Sequence, residues 1–189
     1  MRGRAPAGPS GRAVVSPTTR GGALKERRSD AGRGAVRTEV SLEIKELGHI
    51  VLYVRDLERS RRFYGEVLGW RETNRAGDVA AVFSSGRTHH ELLLLGVGED
   101  AAPIPEGRRI GLYHFGLKVG DTDDELREAL AHITANGVEI VGTADHGVTH
   151  SLYIRDPDGN EVELYVDVMK RDWRAHPEMP LSAPEPLRL

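Results

Sequence analysis

No cysteine occurs anywhere in the 189 residues, which excludes disulfides, zinc–thiolate sites, iron–sulfur clusters and thiol nucleophiles. Any metal must therefore be held by His, Asp or Glu. Long apolar runs are also missing: nothing approaches the roughly 18 consecutive apolar residues of a membrane span, and the amino terminus lacks the apolar stretch of a secretory signal. A soluble, cytoplasmic protein is expected. Aromatics are sparse at 5%, and none falls in the first 40 residues, where the positive charge is concentrated. That segment carries nine Arg or Lys against three acids, so the net charge of −3 leaves about −9 on the remainder. A basic segment without a ring for a base to stack on, joined to an acidic domain, gives no footprint for nucleic acid.

Residues 1–40 are rich in Gly, Arg, Ser, Ala and Pro without helical or strand periodicity. Such a segment buries too little apolar surface to offset the entropy of ordering, and it is expected to be a disordered extension. An inert tail, an extended start and a transit-like leader all have this composition.

Beyond it, the apolar content of 39% supports an ordinary core, and the punctuation becomes regular. HIVLYV reads as a strand. Asp56 then caps a helix, DLERSRRFYGEVLG, that presents Leu57, Phe63, Tyr64, Val67 and Leu68 near one face and stops at Gly69. WRETN, VAAVFSS and HHELLLLGV follow as three strands, giving the order βαβββ. After a Gly- and Pro-containing connection the order returns: LYHFGLKV as a strand, a helix begun by Asp121 and Thr122 and closed by Gly137, then VEIVG, SLYIRDP and NEVELYVDV, with DPDG as a turn.

The chain thus contains an internal repeat. One helix covers one face of a four-stranded sheet, and a second module can cover the rest. We expect an α+β fold of paired βαβββ modules forming a half-open barrel around a metal site. Its domain spans 42–168, with module 1 at about 47–98 and module 2 at about 110–168. Residues 169–189, with Trp173 and His176, are expected to lie over it as an arm.

His49 opens the first strand of module 1, and His114 holds the equivalent place in module 2. One histidine in an apolar strand is more often a core residue than a ligand. Two at equivalent repeat positions, with Glu163 set between Val162 and Leu164, favour ligation, since an unpaired buried carboxylate is costly. Two imidazoles and a carboxylate on one side of a metal leave open positions suited to non-haem Fe(II).

Residues 47–168 resemble the vicinal-oxygen-chelate (glyoxalase/bleomycin resistance/dioxygenase) superfamily, and within it the single-domain type I extradiol catechol 2,3-dioxygenases. Three segments carry the resemblance: LGHIVLYVRDLERSRRFYGEVLGW, GLYHFGLKV and HGVTHSLYIRDPDGNEVELYVD. It implies Fe(II), with Mn(II) indistinguishable by ligand type, held by His49, His114 and Glu163. It also implies a catecholic substrate and O2 as reactants. His90, in RTHHEL, is implied as the acid–base on a family strand; His146 as a hydrogen-bond partner or base for a substrate oxygen; and Tyr153 as a phenol donor. A homodimer or higher homo-oligomer is expected from the open sheet edges.

Two other readings stand beside this one. Glu91 lies near the repeat counterpart of Glu163, and as a fourth ligand it would point to a glyoxalase- or epimerase-like isomerase or lyase. Strand register is expected to displace it, a one-residue shift reversing its face. A metal-free small-molecule-binding resistance protein is the third reading. His89 and His90 can alternatively be exposed polar strand residues and His150 can simply face solvent, while DPDGN reads mainly as a turn.

Overall fold

The structure is a computed structural model, and it describes residues 41–168, 175 and 183–189. The expected extension at 1–40, and Trp173 and His176 of the arm, lie outside the described residues. The fold below belongs to the compact unit Ile44–Leu189.

Module 1 consists of β1 (Ile50–Val54), α1 (Leu57–Arg62), β2 (Glu72–Ala76), β3 (Ala80–Phe83) and β4 (Leu92–Gly96). Module 2 consists of β5 (His114–Gly120), α2 (Asp123–Ala135), β6 (Ile140–Asp145), β7 (Thr149–Arg155) and β8 (Glu161–Asp167). Each module forms its own sheet, ordered β1-β4-β3-β2 and β5-β8-β7-β6, with the outer pair parallel in each case. The paired βαβββ modules make an α+β fold, but the sheets are not closed on each other. In each sheet one face alternates into the core, through Leu52, Val54, Leu92 and Leu94 in module 1 and Leu152, Ile154, Val162 and Leu164 in module 2.

Asp56 caps α1 by accepting from the Arg59 N–H at 3.0 Å. The helix expected to run on to Gly69 instead widens into a π-helical turn at Phe63–Val67. The neighbouring rings of Phe63 and Tyr64, edge-to-face at 5.0 Å, are both buried there. A regular α-helix turns successive residues about 100° apart, and the wider turn lets both rings face inward. Gly69 ends the segment at φ 70°.

Thr122 caps α2, and Glu125 returns the contact by accepting from the Asp121 N–H at 2.8 Å and the Thr122 hydroxyl at 2.7 Å. Gly120 leaves room for this reciprocal cap, because a Cβ there would lie 2.6 Å from the Glu125 carboxyl. Gly120→Ala should therefore cost about 1 kcal/mol, the usual worth of a cap, with a matching drop in the urea midpoint. An unchanged midpoint would show that Glu125 moves away freely.

The DPDGN segment proves to be more than a turn: it locks the modules together. The buried Tyr64 phenol donates to Asp156 Oδ2 at 2.8 Å. Asp158 accepts from the Arg55 N–H at 3.1 Å and from Arg59 Nη2 at 3.0 Å. Asp156 is itself buried, and its carboxylate accepts four donors in all: Tyr64, the Asp158 and Asn160 N–H groups and the Asn160 side-chain amide. Burial pushes its pKa above the ordinary value, against the downward pull of these hydrogen bonds.

At the far edge, Glu185 pairs with Asp145 by two backbone hydrogen bonds, and the Thr143 hydroxyl donates to the Leu187 carbonyl at 2.7 Å. This short stretch fastens the end of β6, next to the hairpin that holds His146. Among the described residues, no helix is long and apolar enough to cross a membrane.

Candidate metal centre

In module 2 the β5–β8 register sets His114 beside Glu161 and Gly116 beside Glu163. Strand alternation then places His114, Glu161 and Glu163 together on the face turned away from the core. His114 Nε2 lies 3.3 Å from Glu163 Oε2, and its Nδ1 lies 3.8 Å from Glu161 Oε1. Tyr153, paired with Glu163 across β7–β8, donates its phenol proton to Glu163 Oε1 at 3.1 Å. His146 Nε2 stands 2.7 Å from the same phenol oxygen. With the phenol proton given to Glu163, His146 must carry its proton on Nε2. Burial first, then the Glu163 charge and hydrogen bond, push the Tyr153 phenol far above its ordinary pKa. Four expected site residues, His114, Glu163, His146 and Tyr153, thus gather on one sheet.

The other two gather on the first sheet. His49 immediately precedes β1, and its ring centroid is 4.6 Å from that of His90. His90 is not on a strand, as expected, but in the loop before β4, packed against His89 at 4.4 Å. Local side-chain bonds hold that loop out of the ladder: Ser84 Oγ donates to the Thr88 carbonyl, and Glu91 accepts from Ser85. Burial lowers the His90 pKa, and the neighbouring rings of His89 and His49 lower it further.

Glu91 requires a correction. Ile50 pairs with Leu92 in the parallel β1–β4 ladder, so His49 sits beside Glu91 just as His114 sits beside Glu161. The counterpart of Glu91 is therefore Glu161, and the counterpart of Glu163 is Leu93. The displacement is two residues rather than one, which keeps Glu91 on the same face as His49. Its carboxylate is already engaged by the Ser85 N–H at 2.6 Å, the Ser85 hydroxyl at 2.8 Å and Arg87 Nε at 3.0 Å. Burial raises its pKa, but these bonds outweigh burial and hold it below the usual carboxylate range. His150 does not face solvent freely either, since it pairs with Asp123 at 2.6 Å and Asp145 at 3.4 Å.

Among the described residues, no three His, Asp or Glu converge tightly enough to hold an ion. The donor set is divided, with His49 on one sheet and His114 with Glu163 on the other. The residues nevertheless fit a divalent transition metal. The Glu163 side chain is only 15% exposed, and its ion pairs among the described residues are with His114 and His146, not with Lys or Arg. Nδ1 of His114 is buried without a hydrogen-bond partner. A carboxylate lacking a cation beside an imidazole is what an ion would satisfy.

Glu161 was not among the expected site residues. Its spacing of two from Glu163 on an alternating strand was the available signal, and it also accepts a hydrogen bond from Tyr113 that raises the phenol's pKa. A cleft of 870 Å³ opens between the modules, with His49, Trp70 and Glu91 among its walls on one side and Gly116, Leu117 and Tyr165 on the other. His114, Glu163, His146 and Tyr153 do not line it.

The chain is 36% identical over 132 residues to a catechol-2,3-dioxygenase of Bacillus subtilis, an alignment covering 70% of this chain and 45% of that protein. It is 31% identical over 121 residues to a biphenyl-2,3-diol 1,2-dioxygenase of Rhodococcus globerulus, covering 64% of this chain and 63% of that one. The chain thus spans about half to two thirds of these relatives' lengths. Among solved structures, a lactoylglutathione lyase from Agrobacterium tumefaciens superposes with a TM-score of 0.52 at 29% identity, covering 66% of this chain and 95% of that one. Residues 46–164 match the model of the Glyoxalase/Bleomycin resistance protein/Dioxygenase superfamily, and together with the repeated βαβββ modules this match shows that the chain belongs to that superfamily.

Proposed function

We propose that this chain is an extradiol ring-cleaving dioxygenase, inserting both atoms of O2 into catechol or a substituted catechol, with Fe(II), or Mn(II) in its place, held by His49, His114 and Glu163. The observation that carries this reading is Leu93. Occupying the repeat counterpart of Glu163, it leaves three protein ligands where an isomerase using four would have a second carboxylate. Three ligands leave room for a chelating diol and for dioxygen. The names of the Bacillus and Rhodococcus relatives support the same choice. Similarity to a lactoylglutathione lyase keeps a redox-neutral isomerase as the second reading.

Iron held by His49, His114 and Glu163 would supply an electron path from a catecholic substrate to dioxygen. The chain's own side chains supply position and proton control. The raised pKa of Tyr153 keeps Oη protonated through neutral pH, so it serves as a donor to a substrate oxygen and not as a base. His146, 2.7 Å away through Nε2, holds that phenol in place. His90, its pKa lowered, is neutral near pH 7 and suited to take up and return a proton during ring opening. Because it packs on His49, it accompanies that ligand into the site.

Anaerobic loading with Fe(II), followed by catechol in air, should give oxygen uptake matched by a yellow ring-opened semialdehyde, and both should disappear after chelation. Metal-loaded protein that leaves several catechols colourless and consumes no oxygen would overturn the reading in favour of the isomerase.

A further inference from the structure

We infer that His150 is a positioning residue: by bridging Asp123 and Asp145 it fixes the turn that carries His146 and, through His146, the Tyr153 phenol. What the phenol does rests on the dioxygenase reading above; the bridge itself does not. His150 lies on β7, where the alternation that sets Tyr153 beside Glu163 turns His150, with the buried Leu152 and Ile154, to the opposite face. There its Nδ1 lies 2.6 Å from Oδ1 of Asp123, the first residue of α2, and its Nε2 lies 3.4 Å from Oδ2 of Asp145, the last residue of β6. A carboxylate only accepts, so Nδ1–H donates to Asp123. The imidazole is 18% exposed, and neither carboxylate pairs with Lys or Arg among the described residues.

Asp145 gives its two oxygens different tasks. Oδ1 accepts from the Gly147 N–H at 2.6 Å and closes a turn around His146, while Oδ2 faces His150. The turn needs Gly147 at φ 75°. Backbone bonds hold the rest: the His146 N–H donates to the Thr149 carbonyl at 2.9 Å, and Asp145 pairs through both its backbone groups with Glu185. What the backbone leaves free is the Asp145 carboxylate. Its side chain is 36% exposed, so without His150 it can exchange its bond to Gly147 for water and let the turn open.

The effect reaches the site through one ring. His146 Nε2 stands 2.7 Å from Tyr153 Oη, which gives its proton to Glu163 at 3.1 Å. A group that donates a proton in a reaction has to be held to within about 0.5 Å by neighbours that are themselves held. For Tyr153 that support runs back through His146 and Asp145 to His150, and from His150 to Asp123 on the rigid start of α2. The helix behind the sheet thereby anchors a turn at its edge.

Nitrogen NMR of the full chain with isotope-labelled histidine, recorded before metal is added, reads this geometry without turnover. Wild type should show a proton fixed on His146 Nε2, assigned by its loss in His146→Gln. His150→Ala should average that proton between the two ring nitrogens, and His150→Gln, whose amide reaches the place of Nε2, should restore it. Asp123→Ala, an exposed change at the other end of the bridge, should reproduce the loss and carries the test if His150→Ala does not fold. In the Fe(II)-loaded chain, His150→Ala should lower kcat on catechol by roughly 10- to 100-fold with KM and metal content unchanged. In a Tyr153→Phe background it should lower kcat no further. A His146 proton that stays fixed in His150→Ala, or losses that multiply in the double variant, overturn the inference and leave His150 as an ion pair of the scaffold. A His146 proton that is lost in His150→Ala, in a chain whose metal-loaded wild type turns over no catechol, overturns the dioxygenase reading and upholds the bridge.

Discussion

Asp156→Ala should lower the free energy of unfolding by about 3 kcal/mol, the cost of leaving buried polar groups without partners. Asp156 is 5% exposed, and every contact to its carboxylate is donated to it. Removing it strands the hydroxyl of Tyr64, which is fully buried, and frees the turn that presents Asp158 to Arg55 and Arg59. Tyr64→Phe should cost about half as much, because it removes one charge-assisted bond and leaves the carboxylate three other donors. Urea unfolding of the three proteins, with the slope unchanged, separates these values. A loss below about 1 kcal/mol for Asp156→Ala would mean that the modules are held chiefly by apolar contact and that the lock is incidental.

Glu163→Gln should leave the fold intact while reducing metal affinity by more than about 100-fold, beyond the 10- to 100-fold expected for groups that only support a ligand. Glutamine keeps the size of the side chain and an oxygen for the Tyr153 phenol but removes the charge. No Lys or Arg pairs with Glu163 among the described residues, so its substitution breaks no ion pair with those residues. The metal-free variant should therefore be at least as stable as metal-free wild type. Tyr153→Phe is the comparison: it should retain the metal and lose turnover by roughly 10- to 100-fold, because it removes a proton donor and not a ligand. Metal content by mass spectrometry and thermal unfolding, measured together, decide the matter. Full metal occupancy in Glu163→Gln would remove Glu163 from the ligand set.

Local chemistry made much of the fold legible. Asp56 and Thr122 announce helix starts, Gly69 a stop, and alternating apolar residues the strands, because caps, turns and periodicity act within a few residues. Repetition aligns His49 with His114 in the sequence itself. The readings that failed were those depending on register or on distant partners. Glu91 is displaced by two residues and not by one, since periodicity does not say which residue of a parallel neighbour lies alongside. His90 falls in a loop and not on a strand, because hydrogen bonds among Ser84, Ser85, Thr88 and Glu91 are not visible as a sequence pattern. DPDGN is a turn, as expected, but its tie to Tyr64 leaves no local pattern, because Tyr64 lies 92 residues from Asp156.

By itself, then, the sequence determined the two βαβββ modules, the exclusion of thiolate chemistry and the residue types available to bind a metal, since composition and short-range periodicity suffice for these. Tertiary structure alone decided that Leu93 stands opposite Glu163 in the repeat, that Tyr153 and His146 join Glu163, and that His49 stays apart from them. The reason is physical: which side chains meet is set by strand register and by packing between residues far apart in the chain, and both are fixed only when the buried lock and the core close together.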